Sequence, residues 1–154
     1  TNTLDIQNAA NMAEKEFGKI DILVNCAGSS KDAGVLEMKD DEWDFTISTD
    51  LTSVFKVTRS FANIMKKNNY GRIINIASMY GLVGNDEIPT IAYHASKGGV
   101  LDSKRFQEFA STHVPMKRYG NEGELNAGAI FLSSDEASYV TGIALPIDGG
   151  YTCV

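Results

Sequence analysis

Residues 78 to 97 read Ser-Met-Tyr-Gly-Leu-Val-Gly-Asn-Asp-Glu-Ile-Pro-Thr-Ile-Ala-Tyr-His-Ala-Ser-Lys. They start where an apolar strand with Ile73, Ile74 and Ile76 stops, and they end in the first turns of a helix expected from about Tyr93. Tyr93 and Lys97 are four residues apart and on a helix share one face. A fixed ammonium beside a tyrosine favours the phenolate and lowers the phenol pKa. A serine hydroxyl nearby, Ser78, can hold a substrate oxygen. Ser78, Tyr93 and Lys97 together suit proton transfer to or from an alcohol or carbonyl.

Working towards the N-terminus, residues 71 to 77 form the strand that delivers Ser78. Before it, Asp40 to Asn68 carries a long stripe of Trp43, Ile47, Leu51, Val54, Thr58, Phe61 and Met65, at helical spacing, with a break expected near Thr49-Asp50. Ala27 to Lys39 reads as loop. Residues 20 to 26 read as a short strand, with Ile22, Leu23 and Val24 consecutive, as in a parallel strand covered on both faces. Residues 3 to 17 read as a helix capped by Asn2 and stopped by Gly18, its stripe being Ile6, Ala9, Ala10, Ala13 and Phe17. The order helix, strand, helix, strand, helix predicts a doubly wound α/β parallel sheet, Rossmann-like and incomplete in these 154 residues. Ligands of such sheets bind beyond the carboxyl ends of the strands, where both Asn25 to Gly28 and Ser78 lie.

Towards the C-terminus the pattern weakens. Gly98-Gly99-Val100-Leu101 continues the helix only briefly, and a short helix over 104 to 111 follows where a strand is due. Asn121 to Glu124 suggests a capping box for a helix carrying Leu125, Ala129 and Leu132. Ile143 to Asp148 reads as a last strand, with Pro146 implying an edge.

The bulk numbers exclude several classes. The chain is 43% hydrophobic and 22% charged, enough for a real core. A net charge of −6 argues against nucleic-acid or anionic-membrane partners, and no apolar run reaches the length of a membrane span. Cys26 and Cys153 form neither a disulfide framework nor a metal spacing, and Cys26 is expected reduced and packed. His94 and His113 lack metal partners, so no metal is expected. A cytoplasmic setting follows as the expectation.

A serine after a strand followed by Tyr-x-x-x-Lys resembles the classical short-chain dehydrogenase/reductase family. Asn25-Cys26-Ala27-Gly28 is similar to its Asn-Asn-Ala-Gly turn, with Cys26 in place of the second Asn. Asp50-Leu51-Thr52 matches the segment that normally carries a catalytic Asn, here Asp50. Pro115 to Gly120, Phe131 to Asp135, Tyr139 to Gly142 and Asp148-Gly149-Gly150 match its C-terminal quarter in order.

The resemblance implies an NAD- or NADP-dependent oxidoreductase acting on a small-molecule alcohol or ketone. In it Ser78 orients the substrate oxygen, Tyr93 exchanges the proton, Lys97 lowers the Tyr93 pKa and binds the nicotinamide ribose, and Asp50 supports a water relay. Asn25, Ala27 and Gly28 border the cofactor. Tyr80 is a rival placed to line the substrate pocket. A homodimer or homotetramer is implied. The substrate is expected to be a sugar acid or polyol, as in gluconate 5-dehydrogenase-like members, with 3-oxoacyl-carrier-protein reductase-like members sharing almost everything else.

Two family blocks are absent. None of the fourteen glycines forms Gly-x-Gly, so the N-terminal βαβ portion that holds the pyrophosphate is missing, and with it the residue that selects NAD or NADP. A second gap falls near 99 to 101, where the family has the rest of the Tyr-bearing helix, a strand and a mobile lid. The expectation is a single domain over 1 to 154 belonging to a longer protein. The alternative is a truncated, non-catalytic member acting as an assembly or regulatory subunit.

Overall fold

The computed structural model describes residues 1–81, 89–96 and 113–153. Two compact units divide the chain, Thr1–Gly99 and Val100–Val154.

The first unit begins with α1, Thr3–Phe17. Asn2 caps it by accepting the Leu4 amide at 2.9 Å, and Gly18, at φ +74°, ends it by donating to the Glu14 carbonyl. That left-handed conformation is cheap only without a Cβ. β1 is Ile22–Asn25. The long helical stripe becomes three pieces: α2, Asp40–Ile47; one π-helical turn, Ser48–Thr52; and α3, Ser53–Lys67. Three acidic residues open α2 and two lysines close α3, each complementing the helix dipole. The expected break near Thr49-Asp50 is thus a widened turn within a continuous helix, not an interruption of it. β2 is Arg72–Asn75, followed by a 3₁₀ turn at Met79–Gly81 and by α4, Ile91–Ser96, two residues earlier than the sequence suggests.

β1 and β2 pair in parallel, Ile22 opposite Arg72 and Asn25 opposite Asn75. α1 and α3 lie side by side in the same direction, tied near one end by Lys56 to the Thr1 carbonyl at 3.0 Å and at the other by Lys67 to Glu14 at 2.7 Å. The buried apolar residues of this unit are Ala10, Ile64, Met65, Ile74, Tyr80, Ala92 and Tyr93.

Three expectations here need correction. Ile22 and Val24 are nearly half exposed, not covered on both faces, because the two strands that pair among the described residues make too narrow a sheet to carry a full helical layer on each side. In α1, Ala9 and Phe17 are exposed and only Ala10 is fully buried, because the helix meets α3 along a narrow line. Cys26 is an exposed free thiol rather than a packed residue.

The second unit holds α5, Asn126–Ser133, and 3₁₀ turns at Asp135–Ala137 and Tyr151–Cys153. Val114 and Ala137 are its buried apolar residues among those described. The Asn121–Glu124 box does not cap α5 directly. Glu124 accepts the Asn121 amide but spends both oxygens on the Arg118 guanidinium, at 2.7 and 2.8 Å, and the helix starts two residues later. The arginine and that amide hold the Glu124 carboxyl down at about 2. Residues 143 to 147 form no strand and have no ladder partner among the described residues; Ile143, Leu145 and Ile147 are each more than 40% exposed. Asp148 instead closes a turn, accepting from the Gly150 amide at 2.9 Å, the Thr152 amide at 3.0 Å and the Thr152 hydroxyl at 2.7 Å. The helix expected over 104 to 111 lies outside the described residues.

Among the described residues no helix is long and apolar enough to cross a membrane, and no group of His, Cys, Asp or Glu could hold a metal ion.

Candidate active site

The carboxyl ends of β1 and β2 are locked by one side chain. Asn25, 8% exposed, donates from Nδ2 to Thr58 Oγ1 on α3 at 2.9 Å and to Asn75 Oδ1 at the end of β2 at 2.8 Å. Parallel strands have no tight turn to align their ends, so this three-way bond fixes where the chain leaves the sheet. Asn25 therefore acts inside the sheet end. Ala27 and Gly28 follow it as exposed backbone beyond the strand.

The loop after them is held from the helix beneath. Thr46 in α2 is fully buried; its hydroxyl donates to the Glu42 carbonyl at 3.0 Å and accepts the Lys31 amide at 3.1 Å. Asp50, one turn on and 2% exposed, accepts the Ser29 amide on Oδ1 at 2.7 Å. Spacing of four puts both acceptors on one helix face, matching loop amides two residues apart. The start of α4 joins the same loop, the Ile91 amide reaching the Ala33 carbonyl at 3.5 Å. Asp50 Oδ2 is buried and has no hydrogen-bond partner among the described residues.

Ser78 is half-buried, three residues beyond β2, and its hydroxyl accepts the Tyr80 amide at 3.2 Å. Tyr93 on α4 is 2% exposed, and its hydroxyl has no partner among the described residues. Burial first, then the Asp50 and Asp32 carboxylates and the Tyr80 phenol, push the Tyr93 pKa up. This is opposite to the lowering expected from Lys97, which lies outside the described residues. The desolvation and the two anions act on the phenol whatever that ammonium adds.

The first unit thus gathers Asp50, Tyr80 and Tyr93, and Tyr80 connects Ser78 to Tyr93. Thr46, Ser29 and Thr90 were not singled out by any motif, and Tyr80 enters only as a rival placed to line the substrate pocket. Thr46 alone left a trace, its place four residues before Asp50 on one helix face. A buried phenol without a partner, near a buried carboxyl oxygen without one, can exchange a proton with a small polar ligand and orient it.

Comparison with known proteins places the chain in a family. The short chain dehydrogenase family model matches residues 1–113, and an enoyl-(acyl carrier protein) reductase model matches 101–152. The 3-oxoacyl-[acyl-carrier-protein] reductase of Salmonella typhimurium is 34% identical over 182 aligned positions, covering 97% of this chain and 74% of that protein. The same enzyme of Thermotoga maritima is 31% identical, with 97% and 73% covered. The alignment is longer than the 154 residues here, so those relatives carry stretches with no counterpart in this chain. Among solved structures, a gluconate 5-dehydrogenase from Burkholderia cenocepacia, in complex with NADP and tartrate, superposes with a TM-score of 0.90 at 27% identity, covering 99% of this chain and 72% of that one. With its parallel α/β fold and these relatives, the chain belongs to the short-chain dehydrogenase family of oxidoreductases.

Proposed function

We propose that this protein interconverts a secondary alcohol and a ketone with NAD or NADP, using Ser78, Tyr93, Lys97 and Asp50. The observation that carries the reading is the buried Tyr93 hydroxyl with no partner among the described residues, beside the carboxyl ends of two parallel strands. The residues present suit the nicotinamide end of such a cofactor: Ala27 and Gly28 offer exposed backbone past β1, and the orphaned phenol faces a need for a partner. The sequence contains no Gly-x-Gly cradle for the pyrophosphate. When bound, the nicotinamide supplies or accepts the hydride at the substrate carbon.

The chain's own residues do the rest. In the reducing direction Ser78 donates to the carbonyl oxygen, and Tyr93 gives that oxygen its proton. Burial and the nearby carboxylates raise the Tyr93 pKa and so weaken it as an acid, which makes the transfer depend on a cation beside the phenolate. Lys97 supplies positive charge for the phenolate left behind. Asp50 Oδ1 holds the loop through Ser29, and Oδ2 is the acceptor for a water that returns the proton. The substrate is a 3-oxoacyl thioester or a sugar acid, the two classes named by relatives. We assign the working protein to the cytoplasm as a homodimer or homotetramer; Leu51 and Phe55, about half exposed on the long helix, suit a subunit contact.

The test is a panel of NADH and NADPH against a short 3-oxoacyl thioester and a keto-sugar acid, using the full-length protein. Turnover of either ketone supports the reading. No turnover and no binding of either nucleotide would favour the alternative, an assembly or regulatory member.

A further inference from the structure

Tyr80 is 2% exposed and stands two residues beyond Ser78. Its amide donates to Ser78 Oγ at 3.2 Å, which occupies an acceptor position and leaves the serine proton to point elsewhere. Its ring meets Tyr93 nearly edge-on, with centroids 6.4 Å apart and planes at 70°. The same ring lies against the His94 imidazole, centroids 4.8 Å apart at 34°. His94 is fixed in turn: Nδ1 lies 2.9 Å from both the hydroxyl and the carbonyl oxygen of Thr90, itself buried. Successive helix residues point about 100° apart. A ring touching both Tyr93 and His94 therefore fills the angle between them and restricts rotation of each.

We propose that Tyr80 is a positioning residue for the Ser78 and Tyr93 pair: its amide aims the serine hydroxyl, and its ring, backed by His94, sets the tyrosine ring. This rests on the acid–base reading of Tyr93 given above. Neither contact needs the Tyr80 hydroxyl. Tyr80 links the turn after β2 to α4 through its amide on Ser78 and its ring on Tyr93, so the group that orients the carbonyl and the group that protonates it keep one geometry.

The test measures kcat and KM separately in the full-length protein with NADPH and whichever ketone turns over. Tyr80→Leu is expected to lower kcat about tenfold or more, since small misplacements of reacting groups are that costly, with KM for NADPH within about twofold. Tyr80→Phe keeps ring and amide and is expected to restore most of kcat. His94→Ala is expected to reproduce the loss, and the double variant to be no worse than the poorer single, as for residues acting through one contact. Should Tyr80→Leu fail to fold, His94→Ala carries the same test. Unchanged kcat in Tyr80→Leu or His94→Ala beside an inactive Tyr93→Phe overturns the proposal alone. Equal damage from Tyr80→Phe and Tyr80→Leu also overturns it, by pointing to the hydroxyl. Turnover in Tyr93→Phe removes the acid–base reading and this proposal with it.

Discussion

Asp50 holds the Ser29 amide with one oxygen and leaves the other buried beside Tyr93's surroundings, so it serves the loop and burdens the phenol at once. An anion nearby disfavours the phenolate. Asp50→Asn keeps an acceptor for Ser29 and removes the charge. It is expected to lower the Tyr93 pKa. Alcohol oxidation, which needs the phenolate, should then switch on at lower pH than in the wild type, read as a shift of the acid limb of kcat/KM. A limb that stays in place would mean that Asp50 does not sense Tyr93. Glu124 offers a residue-scale check in the second unit. Arg118 and the Asn121 amide hold its carboxyl down at about 2, against an ordinary 4.5. A depressed carboxyl contributes stability above its unfolded pKa and loses it as pH falls through the folded value. Arg118→Met is expected to move the Glu124 carboxyl titration, followed by NMR, back up towards the ordinary value. Of these residues, Ser78, Tyr93 and Asp50 stand out in the sequence because their types and spacing match a motif. Thr46 does not, because its role depends on which loop amide the fold brings to it, and for Tyr80 the sequence suggests only a place lining the substrate pocket.

At the scale of elements, the helices were legible where capping residues mark them. Asn2 and Gly18 bound α1 as the sequence predicts, and the Trp43-to-Met65 stripe contains its widened turn near Asp50. The strand over 143 to 147 was not, because a strand is defined by a neighbour, and its apolar residues say nothing of whether one is present. Asn25 shows the same dependence. Its side chain joins β1, β2 and α3, a link between residues 33 and 50 positions apart. Asn25→Ala removes two part-buried hydrogen bonds, to Asn75 and Thr58. It is expected to cost about 1–3 kcal/mol, measured as a lower midpoint in urea. A midpoint equal to the wild type would mean that the strand ends are aligned by other contacts.

For the whole molecule, the alternation of helix and strand pointed to the α/β fold class, because crossover connections leave a periodic trace, while the family came from the resemblance carried by Ser78, Tyr93 and Lys97. What remained illegible was burial. Ile22 and Val24 read as core yet are half exposed, since burial depends on how many strands and helices surround them. The exposed Phe55 and Leu51 belong to this scale too. Light scattering of the full-length protein is expected to give a dimer or tetramer, and Phe55→Glu to shift it towards smaller species. A wild-type monomer would remove the subunit-contact role assigned to α3.

The central claim is that the Tyr93 hydroxyl is the proton-exchanging group of an oxidoreductase. Its most direct test is ketone-dependent oxidation of NADPH or NADH by the full-length wild type and by Tyr93→Phe, with equal folding of the two verified by circular dichroism. The account predicts turnover in the wild type and a loss on the order of 100-fold or more in the variant, the scale of a removed general acid. Near-equal turnover in the two proteins would contradict it.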